Sequence, residues 1–219
     1  MIERARQSGG AARGGPTFVI EACEIEVGKG PVAGIDEAGR GPWAGPVVAA
    51  AVILRPHDIP DGLDDSKALD AVARERLYGA IVASGAGIGI GIAEVDRIDG
   101  MNILRATLWA MADAVARLEV APRLVLVDGN LLPALPCTGR TIIGGDGTCM
   151  SIAAASIIAK VTRDRIMTDL ARALPGYGFE RHKGYGTPEH KAALTRLGVS
   201  AQHRRSFRPV RLALGLDAP

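Results

Sequence analysis

The residues of this chain best placed for chemistry are carboxylates at the ends of apolar runs. Asp36 and Glu37 close the run that begins at Val32, and Asp128 closes Leu124–Val127. Asp146 lies in the glycine-flanked stretch GGDGT, just ahead of a long Ala- and Ile-rich segment. Acids at the ends of neighbouring strands can converge on one rim of a sheet. Hard oxygen ligands gathered without His or Cys favour Mg²⁺ or Mn²⁺ over zinc. Taken singly, each is equally a turn residue, since Asp-Gly and Gly-Asp pairs are common turn formers. Adjacent strand residues also point to opposite faces. Asp36 and Glu37 therefore share a site only if the strand ends there, a break that Gly39 and Gly41 make easy.

Other polar clusters read differently. Asp64-Asp65-Ser66 stands ahead of a helix, where capping is the expected role of its oxygens. Asp164 lies among Lys160, Arg163 and Arg165 on a helix, which predicts a salt-bridged face. His182 and His190 lack helical ligand spacing, so phosphate or structural contacts are expected of them rather than metal. The loop RHKGYGTPEH, Arg181 to His190, sets Lys183 and flanking histidines around Tyr185. Basic groups hold phosphates and an exposed ring packs on a sugar or base; the alternative is a solvated loop with Tyr185 tucked into the core. Gly87–Gly91 lacks the G-x-G-x-x-G spacing, Gly28-Lys29-Gly30 is no P-loop, and no Gly-x-Ser-x-Gly elbow occurs.

The elements that must position these groups alternate between strand and helix patterns. Val32–Asp36 and Val47–Leu54 read as strands joined by a Gly-Pro loop. Ser66–Ala83 reads as a helix with Ser66 as N-cap, and Asn102–Leu118 as a second amphipathic helix. Gly85–Val95 alternates Gly with Ile, a strand with one smooth face that a helix can approach closely. Leu124–Val127 is a short buried strand, and Thr141–Ile143 is an edge-strand candidate. Ser151–Leu174 is a long helix whose first half should be deeply buried. Thr187–Leu197 is a last helix opened by Thr187-Pro188. Thr17–Val27 is ambiguous between helix and strand. The pattern implies an α/β layer fold with a mixed sheet.

The totals set outer bounds. Of 219 residues, 47% are hydrophobic and 23% charged, ordinary values for a soluble chain with a full core. No apolar run approaches the roughly 20 residues of a membrane span, and residues 1–16 read as a flexible Gly-, Ala- and Arg-rich tail rather than a secretory signal. Cys23, Cys137 and Cys149 are scattered singly, which predicts neither a disulfide framework nor a zinc site and makes a reducing cytoplasm the expected compartment. The net charge of +2 conceals a division: from Lys160 to Arg211 there are 12 basic and 4 acidic residues, net +8, against net −6 elsewhere. A basic segment joined to an acid-rich one fits a polyanion partner plus carboxylates that need cations; a solvated basic face fits equally.

Together these stretches resemble the ribonuclease HII family over about Val32 to Val210. The likeness is carried by GIDEAGRGPWAGPVVAAAVIL, DDSKALD, LVLVDGN, GGDGTCMSIAAASIIAKVTRDRIM and YGFERHKGYGTPEH, followed by HRRSFRPV. GIDEAGRG and HKGYGT in this order are highly specific; Asp-Gly-Asn alone would be worthless. The resemblance implies an α/β, ribonuclease H-like fold: a central mixed sheet flanked by helices, with a small C-terminal helical part. It divides the chain into an extension over 1–30, a catalytic domain over 31–174 and a basic substrate-binding part over 175–219. It puts an acidic tetrad on Asp36, Glu37, Asp128 and Asp146, with Asp164 the rival for the last place. It gives Gly39, Arg40 and Gly41 the reading of a ribonucleotide 2′-hydroxyl, and Tyr185 the packing on the following deoxyribose. Ser66, Lys67 and Lys183 match backbone-contacting positions. The basic residue the family often has before the Gly-Asp is Gly144 here. The implied reaction is two-metal hydrolysis, with Mg²⁺ or Mn²⁺, of the RNA strand of RNA–DNA hybrids and 5′ to single ribonucleotides in DNA. It leaves 3′-hydroxyl and 5′-phosphate ends. Nucleic acid is the expected partner, with no membrane, for a monomer. A junction resolvase on the same fold and a non-catalytic hybrid-binding protein are the competing readings.

Overall fold

The computed structural model describes residues 14–216; most of the tail expected over 1–16 lies outside them. Five strands form one mixed sheet: β1 Val32–Ala38, β2 Val47–Ile53, β3 Gly87–Ala93, β4 Leu124–Asp128 and β5 Thr138–Ile142, in the order β3-β2-β1-β4-β5. β1, β2 and β3 are antiparallel neighbours, while β4 pairs parallel with both β1 and β5. The helices are α1 Val19–Glu24, α2 Ala71–Ala83, α3 Val95–Met101, α4 Ile103–Ala116, α5 Met150–Ala173, α6 Phe179–His182, α7 Pro188–Leu197 and α8 Arg208–Ala213.

Two-residue alternation divides the core into layers. Val47, Ala49 and Ala51 of β2 pack with Ala106, Ala110 and Ala114 of α4. Val48, Ala50 and Val52 face the other way, onto Leu77 and Ile81 of α2 and Ala154, Ile157 and Ile158 of α5. The smooth face expected of β3 is used as read: a Cβ on Gly91 would stand 2.0 Å from the Ala110 carbonyl oxygen, and one on Gly89 2.0 Å from that of Ala114. α5 makes the matching approach on the opposite face, where a Cβ on Gly34 would lie 2.2 Å from the Ser151 carbonyl carbon. Residues 151–159 of α5 are all buried, as the apolar first half predicts.

Two expectations are corrected. The helix predicted from Ser66 begins at Ala71, with the Asp70 carboxylate accepting the Ala73 N–H. Residues 66–69 stay a turn because their amides are engaged elsewhere: Ser66 N–H donates to Ser156 Oγ and Lys67 N–H to Asp65 Oδ1. Asp64 and Asp65 thus shape that turn and do not cap a helix. The ambiguous segment 17–27 resolves as α1, whose Ile20 packs against Val32, Leu124 and Ile152. Asn102 and Thr187 cap α4 and α7. Among the described residues, no helix is long and apolar enough to cross a membrane.

Candidate active site

The site lies where β1 and β4 run out at their carboxyl ends, the rim at which open α/β sheets bind ligands. β1 and β4 are in register only as far as Ile35 opposite Val127. Asp36 and Asp128 follow immediately, and each shares the face of its own strand that turns to α5. Asp146 comes from a 3₁₀ turn, Gly145–Gly147, that links β5 to α5. Gly144 enters that turn at φ +65°, a left-handed conformation that suits glycine. The Gly145 N–H then donates to Asp128 Oδ1 at 2.8 Å, tying the turn to β4. One carboxylate oxygen from each of Asp36, Asp128 and Asp146 lies within 4.8 Å of the others, and Asp36 and Asp146 are buried.

Glu37 is not a member of this triad. β1 continues to Ala38 against β2, so alternation sends Glu37 to the other face of the strand, where it meets Arg40 at 3.3 Å. It still lines the same cleft, of ≈250 Å³, with Asp36, Asp128, Ser66, Lys67, Lys160, Tyr185 and the 39–41 turn. Asp164, the rival acid, pairs with Lys160 at 2.7 Å, the salt-bridged face expected of it.

The cluster is electrostatically costly. Burial, and then the charges of Glu37 and Asp128, push the Asp36 carboxyl well above the ordinary carboxylate range. Burial raises Glu37 despite Arg40, and raises Asp128 despite the Gly145 N–H. Lys67 offsets part of this load, its Nζ standing 2.9 Å from Asp146 Oδ2 and 3.6 Å from Asp65. Burial works against the lysine's charge, but the hydrogen bond and charge of Asp146 outweigh it and hold the amine above its usual range. Three hard oxygens converging without His or Cys, with the Asp36 and Asp128 carboxyls both raised by burial, fit a divalent cation of the Mg²⁺ or Mn²⁺ kind.

Gly39, Arg40 and Gly41 form the lip of the cleft. Gly39 has φ +95°, and a Cβ there would collide with the Arg163 side chain at 1.9 Å. Tyr185 is exposed, not tucked into the core, and its ring comes within 3.6 Å of where a Gly41 Cβ would stand. The structure therefore brings the turn and the ring together. Lys183 is placed elsewhere: its amine donates to the Asp164 carbonyl and to Thr168 Oγ1, in a neighbouring groove with Arg74, Arg165 and Arg172.

Two arginines stand behind the lip, Arg163, whose place the structure corrects, and Arg204, which carried no sequence expectation. Arg163, expected on a salt-bridged face, is instead 1% exposed and donates to the carbonyls of Pro46, Ala44 and Lys183. Arg204 is fully buried and donates to those of Gly39, Arg40, Gly45 and Pro46. Burial pushes their pKa values down to about 10 and about 9. Helical spacing carried a signal for the first, since Arg163 falls on the buried stripe of Ile152, Ser156, Ala159 and Met167. Glu21 was also missed: fully buried, it accepts the Ser151 N–H at 2.7 Å and so caps the α5 terminus that follows Asp146.

Comparison with known proteins gives the family and the fold. The family model described as ribonuclease HII matches residues 33–210. A ribonuclease HII of Azorhizobium caulinodans is 60% identical over 197 residues, covering 90% of this chain and 76% of that one. Among solved structures, ribonuclease H2 of Pyrococcus horikoshii superposes with a TM-score of 0.68 at 26% identity, covering 83% of this chain and 96% of its own. The ribonuclease HII of Archaeoglobus fulgidus, solved in complex with PCNA, gives 0.70 at 25% identity, covering 81% and 95%. With its ribonuclease H-like mixed sheet and a family match over most of its length, the chain belongs to the ribonuclease HII family of hydrolytic endoribonucleases.

Proposed function

We propose that this chain hydrolyses the RNA strand of RNA–DNA hybrids and cuts 5′ to single ribonucleotides embedded in duplex DNA, leaving 3′-hydroxyl and 5′-phosphate ends. The observation that carries the reading is a juxtaposition: the buried triad Asp36, Asp128 and Asp146 shares one rim with the Gly39–Gly41 lip and the exposed Tyr185 ring.

Asp36, Asp128 and Asp146, with Glu37 beside them, would hold two ions of Mg²⁺ or Mn²⁺. Bound there, such ions supply an activated water and neutralise charge on the phosphate and on the leaving 3′-oxygen. The remaining work falls to the protein. Asp128 is oriented by the Gly145 amide at Oδ1, so its carboxylate presents a fixed geometry to a cation. Lys67 is exposed enough to leave Asp146 and meet a phosphate. The backbone of Gly39–Gly41 offers polar groups to a 2′-hydroxyl, the atom that separates RNA from DNA. Arg204 takes up the carbonyls of Gly39 and Arg40, and Arg163 packs against Gly39 while holding the carbonyls of Ala44 and Pro46 behind it, so the turn keeps one shape while it reads. The Tyr185 ring, next to Gly41, packs on the adjoining deoxyribose. Basic residues after Lys160 hold the duplex backbone, Lys183 among them from its flanking groove.

The test is a DNA duplex carrying one ribonucleotide, incubated with Mg²⁺, with Mn²⁺ and with chelator, beside an all-DNA duplex. The expected result is metal-dependent cutting only at the 5′ side of the ribonucleotide. Cutting of the all-DNA duplex would remove the 2′-hydroxyl test, and binding without cutting would remove catalysis.

A further inference from the structure

Behind the Tyr185 loop lies a buried histidine pair that the reaction does not use directly. His190 and His203 are both fully buried, with their Nε2 atoms 3.0 Å apart. Their outer nitrogens meet backbone groups of fixed polarity. His190 Nδ1 faces the Tyr185 carbonyl oxygen at 3.0 Å, which can only accept. His203 Nδ1 faces the Ser200 N–H at 3.0 Å, which can only donate, with Ser200 Oγ at 2.8 Å. Those ends decide the tautomers. His190 must carry its proton on Nδ1 and accept at Nε2, while His203 must accept at Nδ1 and donate from Nε2. Polarity therefore runs one way: Ser200 N–H to His203, His203 to His190, His190 to the Tyr185 carbonyl. A second proton on His190 would set two donors face to face at Nε2, one on His203 Nδ1 would oppose the Ser200 N–H and leave only Ser200 Oγ to accept it, and burial keeps both basicities low.

The backbone around His203 is tied to the other reading element. Its residue bridges Ala44, Gly45 N–H donates to Gln202 O at 2.8 Å, and Arg204 N–H to Trp43 O at 2.8 Å. The Trp43 ring lies tilted against His190, with centroids 5.3 Å apart, and the Trp43 backbone N–H donates to Gly184 O. One end of the pair is thus anchored to the loop bearing the Gly39–Gly41 lip, and the other holds the peptide of Tyr185.

We infer that His203 and His190 are positioning residues: their one-way hydrogen-bond relay sets the Tyr185 ring against the Gly39–Gly41 lip and so fixes the geometry in which the RNA-to-DNA junction is tested. The inference rests on the junction role proposed above for Tyr185. Its readout is the ratio of kcat/KM on a duplex with one embedded ribonucleotide to that on a continuous RNA–DNA hybrid. His203→Leu removes the donor and should lower this ratio roughly tenfold, the scale of one lost buried hydrogen bond. His203→Gln, whose amide can still donate to His190 Nε2, should recover most of it. In a Tyr185→Ala background, His203→Leu should change the ratio no further.

Long-range ¹⁵N–¹H NMR of the wild-type protein near pH 7 needs no variant to fold. It should find His190 neutral with the proton on Nδ1, and His203 neutral with the proton on Nε2. Any other tautomer pair, or a charged ring, overturns the relay. A normal ratio in His203→Leu while Tyr185→Ala lowers it overturns the positioning role, as does a Gln variant no better than Leu. If Tyr185→Ala itself leaves the ratio unchanged while the tautomers are as stated, the junction reading of Tyr185 has failed, and the relay's specificity role with it.

Discussion

At the scale of single residues, the decisive fact is that Asp36 is buried against two other acids. Placing ionised carboxylates in so small a volume is unfavourable unless a cation joins them. Folding holds that arrangement with Lys67 as a partial counter-charge. Asp36→Asn or Asp128→Asn keeps the shape and removes a charged ligand. Each should cut turnover by roughly 100-fold or more, since even outer partners of a metal are worth 10–100-fold, while duplex binding in a gel-shift assay survives. Near-wild-type turnover in either variant would move the metal site elsewhere. The acids were legible as a set, because several carboxylates at the ends of apolar runs can converge on one rim, although each alone reads equally as a turn residue. The departure of Glu37 from the triad follows from alternation along β1, a condition visible in the sequence; only the structure shows the strand running on to Ala38. Arg204 had no such signal, because nothing local marks a cation whose partners are carbonyls more than 150 residues away.

At the scale of elements, small residues bring helices close to the sheet and caps fix where the helices start. Gly91 and Gly89 on β3 let α4 rest on the backbone itself. Gly91→Ala should force α4 outward and cost ~2 kcal/mol, in the range of overpacked cores, read as a lower urea midpoint with unchanged slope. An unaltered midpoint would mean that α4 has room to shift. Glu21 acts at the start of α5. Glu21→Ala strips the side-chain acceptor of the Ser151 N–H from a buried helix terminus and should destabilise by ~1–2 kcal/mol. Because Asp146 sits in the turn leading into that helix, apparent Mn²⁺ affinity by titration calorimetry should fall as well. A loss of stability with unchanged affinity would confine Glu21 to the fold. Periodicity made these elements readable, but their starts depended on competition for amides. Asp70, not Ser66, caps α2, because the helix starts after a turn in which the Ser66 N–H is tied to Ser156 Oγ, 90 residues away, and the Asp70 carboxylate is the group that reaches the Ala73 N–H.

For the whole molecule, the C-terminal part is joined to the sheet layer by buried polar groups, which makes the union sensitive to acid. Burial, then the charge of His190, pushes His203 down to about 4, and burial likewise lowers His190. Unfolded, both titrate near 6.5. Between roughly 6.5 and 4 the unfolded chain binds more protons than the folded one at these sites, so their contribution to stability is present at neutral pH and is lost as pH falls. The raised carboxyls of Asp36, Glu37 and Asp128 act in the opposite sense, so the quantity to read is a difference. The acid-induced drop in urea midpoint from pH 7 to 5 should be smaller in His203→Gln than in wild type; an equal drop would assign the acid sensitivity to other groups. The sequence by itself determined the α/β class, the strand-end acids and the small-residue faces, because alternation, helical spacing and glycine patterns are properties of neighbouring residues. Only the tertiary structure decided that three of the acids form the metal-ready triad, that Arg163 and Arg204 grip the Gly39–Gly41 lip, and that a histidine pair ties that lip to Tyr185. Those outcomes depend on groups far apart along the chain meeting in a low-dielectric interior, where each buried donor must find its acceptor.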